Sequence, residues 1–396
     1  MPKIILNQQN QPIKNKNLRT LYVLGFLLAL AIAIPTYIQS NYLESFVGLR
    51  SVSLFFIAAN FCAIIAILFY PAAIKRFRNY NMARITLAIF FLATLTMAFT
   101  QSPVILFFAL IFLTIGFDLL FINMDILLES FSAVSNTGRV RTVYFTCINL
   151  GWVLSPLIAG LLAKNNNYRP IFLVAALCLI PFYIIFARQS KNLQDHINYT
   201  RPEIIQTFKK IWQTRDIRGI FSLSLLLQLF YGLAVVYMPI HLHQNIGFSW
   251  ETLGLMFAFM LLPFIIFEIP AGILADKYIG EKEIMTVGFT ILIVSLILFF
   301  FVDSTSVWLW GGILFFSRTG ASLVEAMREA YFFKKVKVKD VSIINFFRTT
   351  IPMGYLLSTL LGVIILTFYP VNYIFIILAV VMISSLYFIS IIHDTK

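Results

Sequence analysis

The chain runs to 396 residues, 60% of them hydrophobic and only 12% charged. That balance leaves too little polar surface to dress soluble domains of this length, and lipid is the solvent that fits. The 30 Lys and Arg against 17 Asp and Glu give a net charge of +13, read here as membrane topology plus contact with anionic headgroups; a nucleic-acid surface needs a soluble basic face with interleaved aromatics.

A transmembrane helix needs about 20 mostly apolar residues, and twelve such runs follow one another along the chain. The basic N-terminal stretch leads into 20–43, which exceeds a signal-peptide core and has no small-residue cleavage site after it, so it reads as the first helix. The second run is 51–74. Residues 85–117 are double length and divide at "TQSP" (100–103), where Pro103 can open a helix, giving the third and fourth. The fifth and sixth are 142–163 and 170–187. A long polar segment, 188–218, then carries "PEIIQTFKKIW", whose apolar residues at helical spacing with lysines between them predict a surface helix. Spans near 219–242, 252–274, 284–302 and 304–327 follow, an eleventh begins near 341, and "YP" (369–370) separates it from the twelfth.

The polar segment divides the spans six plus six, and internal similarity agrees. "YPAAI" (70–74) matches "IPAGI" (269–273), "GWVLSPLIAG" (151–160) matches "GYLLSTLLGV" (354–363), and "DILLE" (125–129) parallels "EAMRE" (325–329), at offsets of 199, 203 and 200 from their first residues. The expected fold is therefore an all-α integral membrane protein of twelve transmembrane helices in two pseudo-symmetric six-helix bundles, residues 1–187 and 219–396, with 188–218 as linker. Two related halves with a site between them is a transporter architecture.

Cytoplasmic loops carry the Lys/Arg excess. With the N-terminus inside, the inner face receives Lys3, Lys14, Lys16 and Arg19, the cluster Lys75/Arg76/Arg78/Arg84, Arg139/Arg141, the central segment, Lys277/Lys282 and Lys334/Lys335/Lys337/Lys339; the outer face receives Arg50, Lys164 and Arg169. Both termini are then cytoplasmic, in a cell (inner or plasma) membrane. Cys62, Cys147 and Cys178 all fall inside spans and read as buried small hydrophobes.

With that topology "AGILADKYIGEKE" (271–283) is the inner turn between the eighth and ninth spans. It resembles the signature turn G-x-L-A-D-(R/K)-x-G-(R/K)-(R/K) of the major facilitator superfamily: Gly272, Leu274, Ala275, Asp276 and Lys277 match, Gly280 comes one residue late, and Glu281 stands where a basic residue is usual. The first-half counterpart, "AIKRFRNYN", keeps the basic residues without the glycine or aspartate. The physical reading is that Gly272 admits a neighbouring helix backbone, and that Asp276 accepts from the free N–H groups of a helix start, the eleventh near Val341. The resemblance implies that Gly272, Asp276, Lys277 and Gly280 form a gating motif. The fifth span looks like a worn form of the family's exporter motif, with Gly151, Pro156 and Gly160 retained, and that tilts the direction toward export; close helix packing explains the same residues.

Ionisable residues inside spans are costly and usually face a cavity or a partner. They are Asp118 and Asp125 in the fourth span, Glu268 in the eighth, Arg318 and Glu325 in the tenth and Arg348 in the eleventh. In the superfamily that the chain resembles, the first, fourth, seventh and tenth helices line the cavity. Asp125, Glu268, Glu325 and Arg348 lie near the inner end and are expected to form the inner gate, Arg348 bonding to Glu325 or Asp276. Asp118 and Arg318, 200 residues apart and deeper, are expected to meet as a central charge pair that couples protons; "LFFSR" (314–318) also resembles the start of the family's L-x-x-x-R proton-transfer motif. Tyr37, Asn123, Asn149, Gln228, Tyr231 and Tyr237 are candidates for the substrate cavity, against the simpler reading that each bonds helix to helix. His241 and His243, two apart on a helix, point to different faces, so no metal site is expected.

The expected function is secondary active transport of a small organic solute by alternating access, proton-coupled and tilted toward export; a facilitative or proton-coupled uptake permease is the alternative. A membrane enzyme would need grouped catalytic residues, and Asp118 and Asp125 lie two turns apart along one helix, too far for shared acid–base work. A channel or scaffold without active transport lacks support from any filter-like loop. No nucleotide-binding glycine loop exists, so no cofactor is expected. The expected partners are the solute, protons and the bilayer, with no nucleic acid and with a monomer as the working unit. Reporter fusions at residue 200 and at Lys396 should both score cytoplasmic; an external signal at either overturns the topology.

Overall fold

A computed structural model of the protein describes residues 15–131, 137–163, 167–189, 204–336 and 341–393. Every regular element among them is helical, and 12 helices are long and apolar enough to cross a membrane. Helix is what the solvent demands, because a backbone N–H or C=O facing hydrocarbon has no water to bond. An even number of crossings returns the chain to its starting face. That face, which carries residues 15 and 393, is called the terminal face below, and the other the far face.

The spans fall where the apolar runs predict. The third and fourth divide at Thr100, with Pro103 opening the helix Pro103–Phe131. The seventh starts at Arg215, four residues earlier than expected (219 minus 215). Before it, Ile204–Gln213 forms the expected amphipathic helix: Ile211 is buried, Trp212 is exposed, and the Phe208 ring lies 6.1 Å from that of Phe346 in the eleventh span. Residues 190–203 of the linker lie outside the described residues.

Three spans are broken, which hydrophobicity alone does not foretell. Pro35 lies inside the first helix, Asn15–Thr36; Tyr37 and Ile38 then turn, the Ile38 N–H donating to the Pro35 carbonyl at 3.0 Å, and Gln39–Val47 resumes. The eighth breaks at Phe267, between Trp250–Ile266 and Glu268–Leu274, three residues before Pro270. The eleventh breaks at Thr349, between Val341–Arg348 and Thr350–Phe368, three residues before Pro352. A proline removes one N–H from the helical ladder and crowds the preceding turn, so the breaks at Phe267 and Thr349 sit beside a carbonyl that has lost its donor, while in the first span the break follows the proline. Discontinuous helices of this kind are where transporters build sites. Here the breaks carry Tyr37, Glu268 and Arg348.

The halves meet along two seams, the second span against the eleventh and the fifth against the eighth. At the second seam Gly160 and Gly254 let the backbones touch: a Cβ on Gly160 would come within 2.6 Å of the Trp250 carbonyl oxygen, and one on Gly254 within 2.6 Å of the Pro156 carbonyl oxygen. Small residues are how helices associate where lipid is as apolar as the side chains. Gly151 lies against Phe26 and Ala29 of the first span. Close packing thus accounts for Gly151, Pro156 and Gly160 together. Gly160→Val, which forces a branched side chain onto backbone, should destabilise the protein by about 1–3 kcal/mol, read as a lowered Tm in detergent; an unchanged Tm contradicts this seam.

Candidate functional site

The interior between the halves holds charge. Arg318, on the tenth helix Val307–Lys335, is 3% exposed, with its Cζ 5.1 Å from the Phe230 ring and 5.6 Å from the Tyr231 ring of the seventh span. Tyr37, at the break of the first span, faces the same guanidinium. Arg318 Nε and Nη1 nevertheless have no hydrogen-bond partner. Asp118 of the fourth span is 7% exposed, and its Oδ2 is likewise without a partner. Tyr355 of the eleventh span lies within electrostatic reach of Tyr37, Arg318, Asp118 and Glu325.

The expected Asp118–Arg318 pair does not form: among the described residues no carboxylate oxygen lies within 4.0 Å of Arg318. Equal offset in two repeats places residues at equal depth, but it does not aim them at each other. Arg318 turns to the aromatic faces of the seventh span, which attract a cation and sit on its own half.

Toward the terminal face the charges are paired. Arg348, at the break of the eleventh span, donates from Nη1 to Glu329 Oε1 at 2.9 Å and from Nη2 to Glu329 Oε2 at 3.3 Å, a two-pronged contact that fixes its plane. Its Nε lies 3.7 Å from Asp125 Oδ2 of the first half. Arg328 closes the group, donating to Glu329 at 2.8 Å and to Ser224 Oγ at 2.9 Å. Of the four expected gate residues, Asp125 and Arg348 therefore meet. Glu325 instead accepts from the Tyr231 hydroxyl at 2.6 Å, and Glu268, beside the eighth-span break, accepts from Asn149 Nδ2 of the first half at 3.5 Å. The expected bond from Arg348 to Glu325 is replaced by the one to Glu329, one helical turn further along the tenth span.

Three cavity candidates lie elsewhere. Tyr237 is fully buried at the far face, sharing a 2.7 Å hydrogen bond with Ser53 of the first half and packing on Gly362. It seals the halves. Asn123 accepts from the Tyr70 hydroxyl at 2.8 Å, and its carbonyl accepts from Asn79 Nδ2 at 3.1 Å, so it ties three helices of one half together. Gln228 is buried where Gly354 of the eleventh span packs onto its Cβ. Tyr37, Tyr231 and Asn149 do border the interior. Beside Tyr237 the far face is also closed by the Gln244–Glu44 hydrogen bond and by the Tyr168 and Trp250 rings, 5.9 Å apart. His243 bonds to the Phe248 carbonyl while His241 packs edge-on to Trp310 and Phe375, so the two histidines face different neighbours.

The turn after the eighth span is a loosened helix, Ala275–Ile279, ended by Gly280 at φ +87°, a left-handed conformation that favours glycine. A Cβ on Gly272 would meet nothing within 4 Å, and Lys277 is exposed. The Asp276 side chain lies outside the described residues. Glu281, where a basic residue was expected, is buried and ion-paired with Lys334, pinning the start of the ninth span to the end of the tenth. Sequence reading missed Arg328, Glu329 and Tyr355, and it did not anticipate the partner of Glu281. The first three lie inside the repeated segments "EAMRE" and "GYLLSTLLGV", so the repeat did flag the stretches without flagging the residues.

Twelve helices in two seamed halves around a charged interior are an architecture found in membrane transporters, and sequence comparison gives the family. The sequence model of the Major Facilitator Superfamily matches residues 20–339 and, separately, 220–395. The chain belongs to the Major Facilitator Superfamily. It is 23% identical over 192 residues to "Uncharacterized MFS-type transporter YfkF" of Bacillus subtilis (strain 168), a match covering 47% of each chain, so it spans about half the length of that curated relative. Among solved structures, nucleoside transporter NupG superposes with a TM-score of 0.74 at 11% identity, covering 95% of this chain and 98% of that one, and a point mutant of NupG with a TM-score of 0.75 over 95% and 100%. At that identity the likeness concerns the fold.

Proposed function

We propose that the protein moves a small organic solute by alternating access, with a proton on Asp118 as the coupling ion. The reading rests on one observation above all: Asp118 is buried between the halves with a carboxylate oxygen that no group satisfies. A buried carboxylate without a cation changes its energy sharply on gaining or losing a proton, so its protonation can favour one conformation over another. Two half-buried acids of the interior have polar partners already, Glu325 in Tyr231 and Glu268 in Asn149.

The contacts that join the halves suit a rocking motion. The far face is held by Ser53–Tyr237 and Gln244–Glu44, and the terminal face by Asp125–Arg348 and Asn149–Glu268. All are polar and reversible, each of the order of 1–3 kcal/mol. The Lys and Arg excess adds the expectation that the terminal face is cytoplasmic.

In proteoliposomes Asp118→Asn should keep solute exchange at a rate near that of the native protein while losing accumulation driven by a proton gradient. Continued accumulation against the gradient in this variant removes Asp118 from coupling. Direction is read in the same assay: accumulation in everted vesicles defines export, accumulation in right-side-out vesicles defines uptake.

A further inference from the structure

Resting on the transport reading, the structure also bears on the chemical class of the solute. Arg318 is 3% exposed, has no carboxylate within 4.0 Å among the described residues, and leaves Nε and Nη1 without partners. A guanidinium keeps its charge under all physiological conditions, so protonation cannot relieve its burial as it can for a carboxylate. Arg348 of the same interior, by contrast, is saturated by Glu329 and Asp125.

The surroundings of Arg318 are aromatic. The Phe230 and Tyr231 rings lie under the guanidinium at 5.1 and 5.6 Å, Tyr37 engages it, and Tyr355 lies within electrostatic reach of it. Tyr37 continues the wall across to the second half, its ring centroid 5.1 Å from that of Phe257 in the eighth span. Cation–π contacts hold a guanidinium in place without using up its N–H groups; Tyr37 engages one side of it, and the N–H groups on Nε and Nη1 stay free for an anion. The elements that present these groups are the broken first span and the seventh, tenth and eleventh spans.

We infer that Arg318 with Tyr37, Phe230, Tyr231 and Tyr355 forms a subsite for a carboxylate attached to an aromatic ring, and that the solute is an aromatic monocarboxylate. The unmatched N–H groups on Nε and Nη1 donate to the carboxylate, and the ring packs against the tyrosine and phenylalanine faces. Asp118, close enough for Tyr355 to feel it, is not part of the anion's shell and repels a second negative charge, which favours a monoanion over a dianion.

The test uses the full-length protein in detergent with three probes of one shape and different charge: phenylacetate, phenethylamine and benzyl alcohol. Phenylacetate should raise the Tm and quench tryptophan fluorescence, and the amine and alcohol should not. Arg318→Gln should weaken phenylacetate binding by at least about tenfold, and Arg318→Lys, which keeps the charge and loses the fork, by less. Both variants are checked for a single folded species by size exclusion, and if Arg318→Gln fails to fold, the loss is read from Arg318→Lys. Absence of phenylacetate binding to the native protein, equal binding of the amine or the alcohol, or unchanged binding in the folded variants overturns the assignment. Failure of the transport reading is distinguishable: it shows as absence of exchange of any solute from a broad metabolite panel in proteoliposomes, whereas failure of the subsite alone leaves exchange of non-anionic solutes intact.

Discussion

Charge held away from water costs several kcal/mol unless a counter-charge or a set of dipoles replaces the lost hydration. The interior of this protein is sorted by how that cost is met. Toward the terminal face Arg348, Arg328, Glu329 and Asp125 neutralise one another at 2.8 to 3.7 Å. Deeper in, Arg318 rests on Phe230 and Tyr231 with two of its nitrogens unmatched, and Asp118 has one unmatched oxygen. The paired group joins the halves. The unpaired groups, whose burial a purely structural role would not require, are the ones on which the proposed function rests.

The breaks in three spans follow from the same constraint. A continuous helix satisfies its own backbone and offers a bilayer-facing wall, whereas a break exposes carbonyls and changes the direction of side chains within the interior. Pro35, Pro270 and Pro352 place such breaks beside Tyr37, Glu268 and Arg348, so the residues that face a cavity or cross the seam sit where the helix yields most easily. Rigid packing does the opposite job at Gly160 and Gly254, where two backbones touch.

Span number, the six-plus-six division and the amphipathic helix of the linker were legible because hydrophobic run length and periodicity are physical signals that neighbours do not override. The site was legible only in part. Depth along a helix can be counted from the sequence, and Asp125 and Arg348, assigned to similar depth, lie 3.7 Å apart. Azimuth about the helix is set by packing, and so Asp118 and Arg318 were wrongly aimed at one another, while Tyr237 and Asn123 proved to be joints between helices. Tyr355 and Glu329 escaped notice because a tyrosine or glutamate on a mostly apolar helix carries no mark of its facing until the opposite half is in place.

Distances between spin-label pairs across the two seals, recorded in the same lipid sample, test the central claim most directly. One pair at Val47 and Asn245 reports the far face, and one at Ser130 and Lys335 reports the terminal face. The account predicts reciprocal populations: conditions or an Arg348→Gln substitution that lengthen the terminal-face distance leave the far-face pair short, and conditions that lengthen the far-face distance close the terminal pair. Two distances that lengthen together, or a far-face pair that never opens while solute is being moved, would contradict an interior served alternately from its two sides.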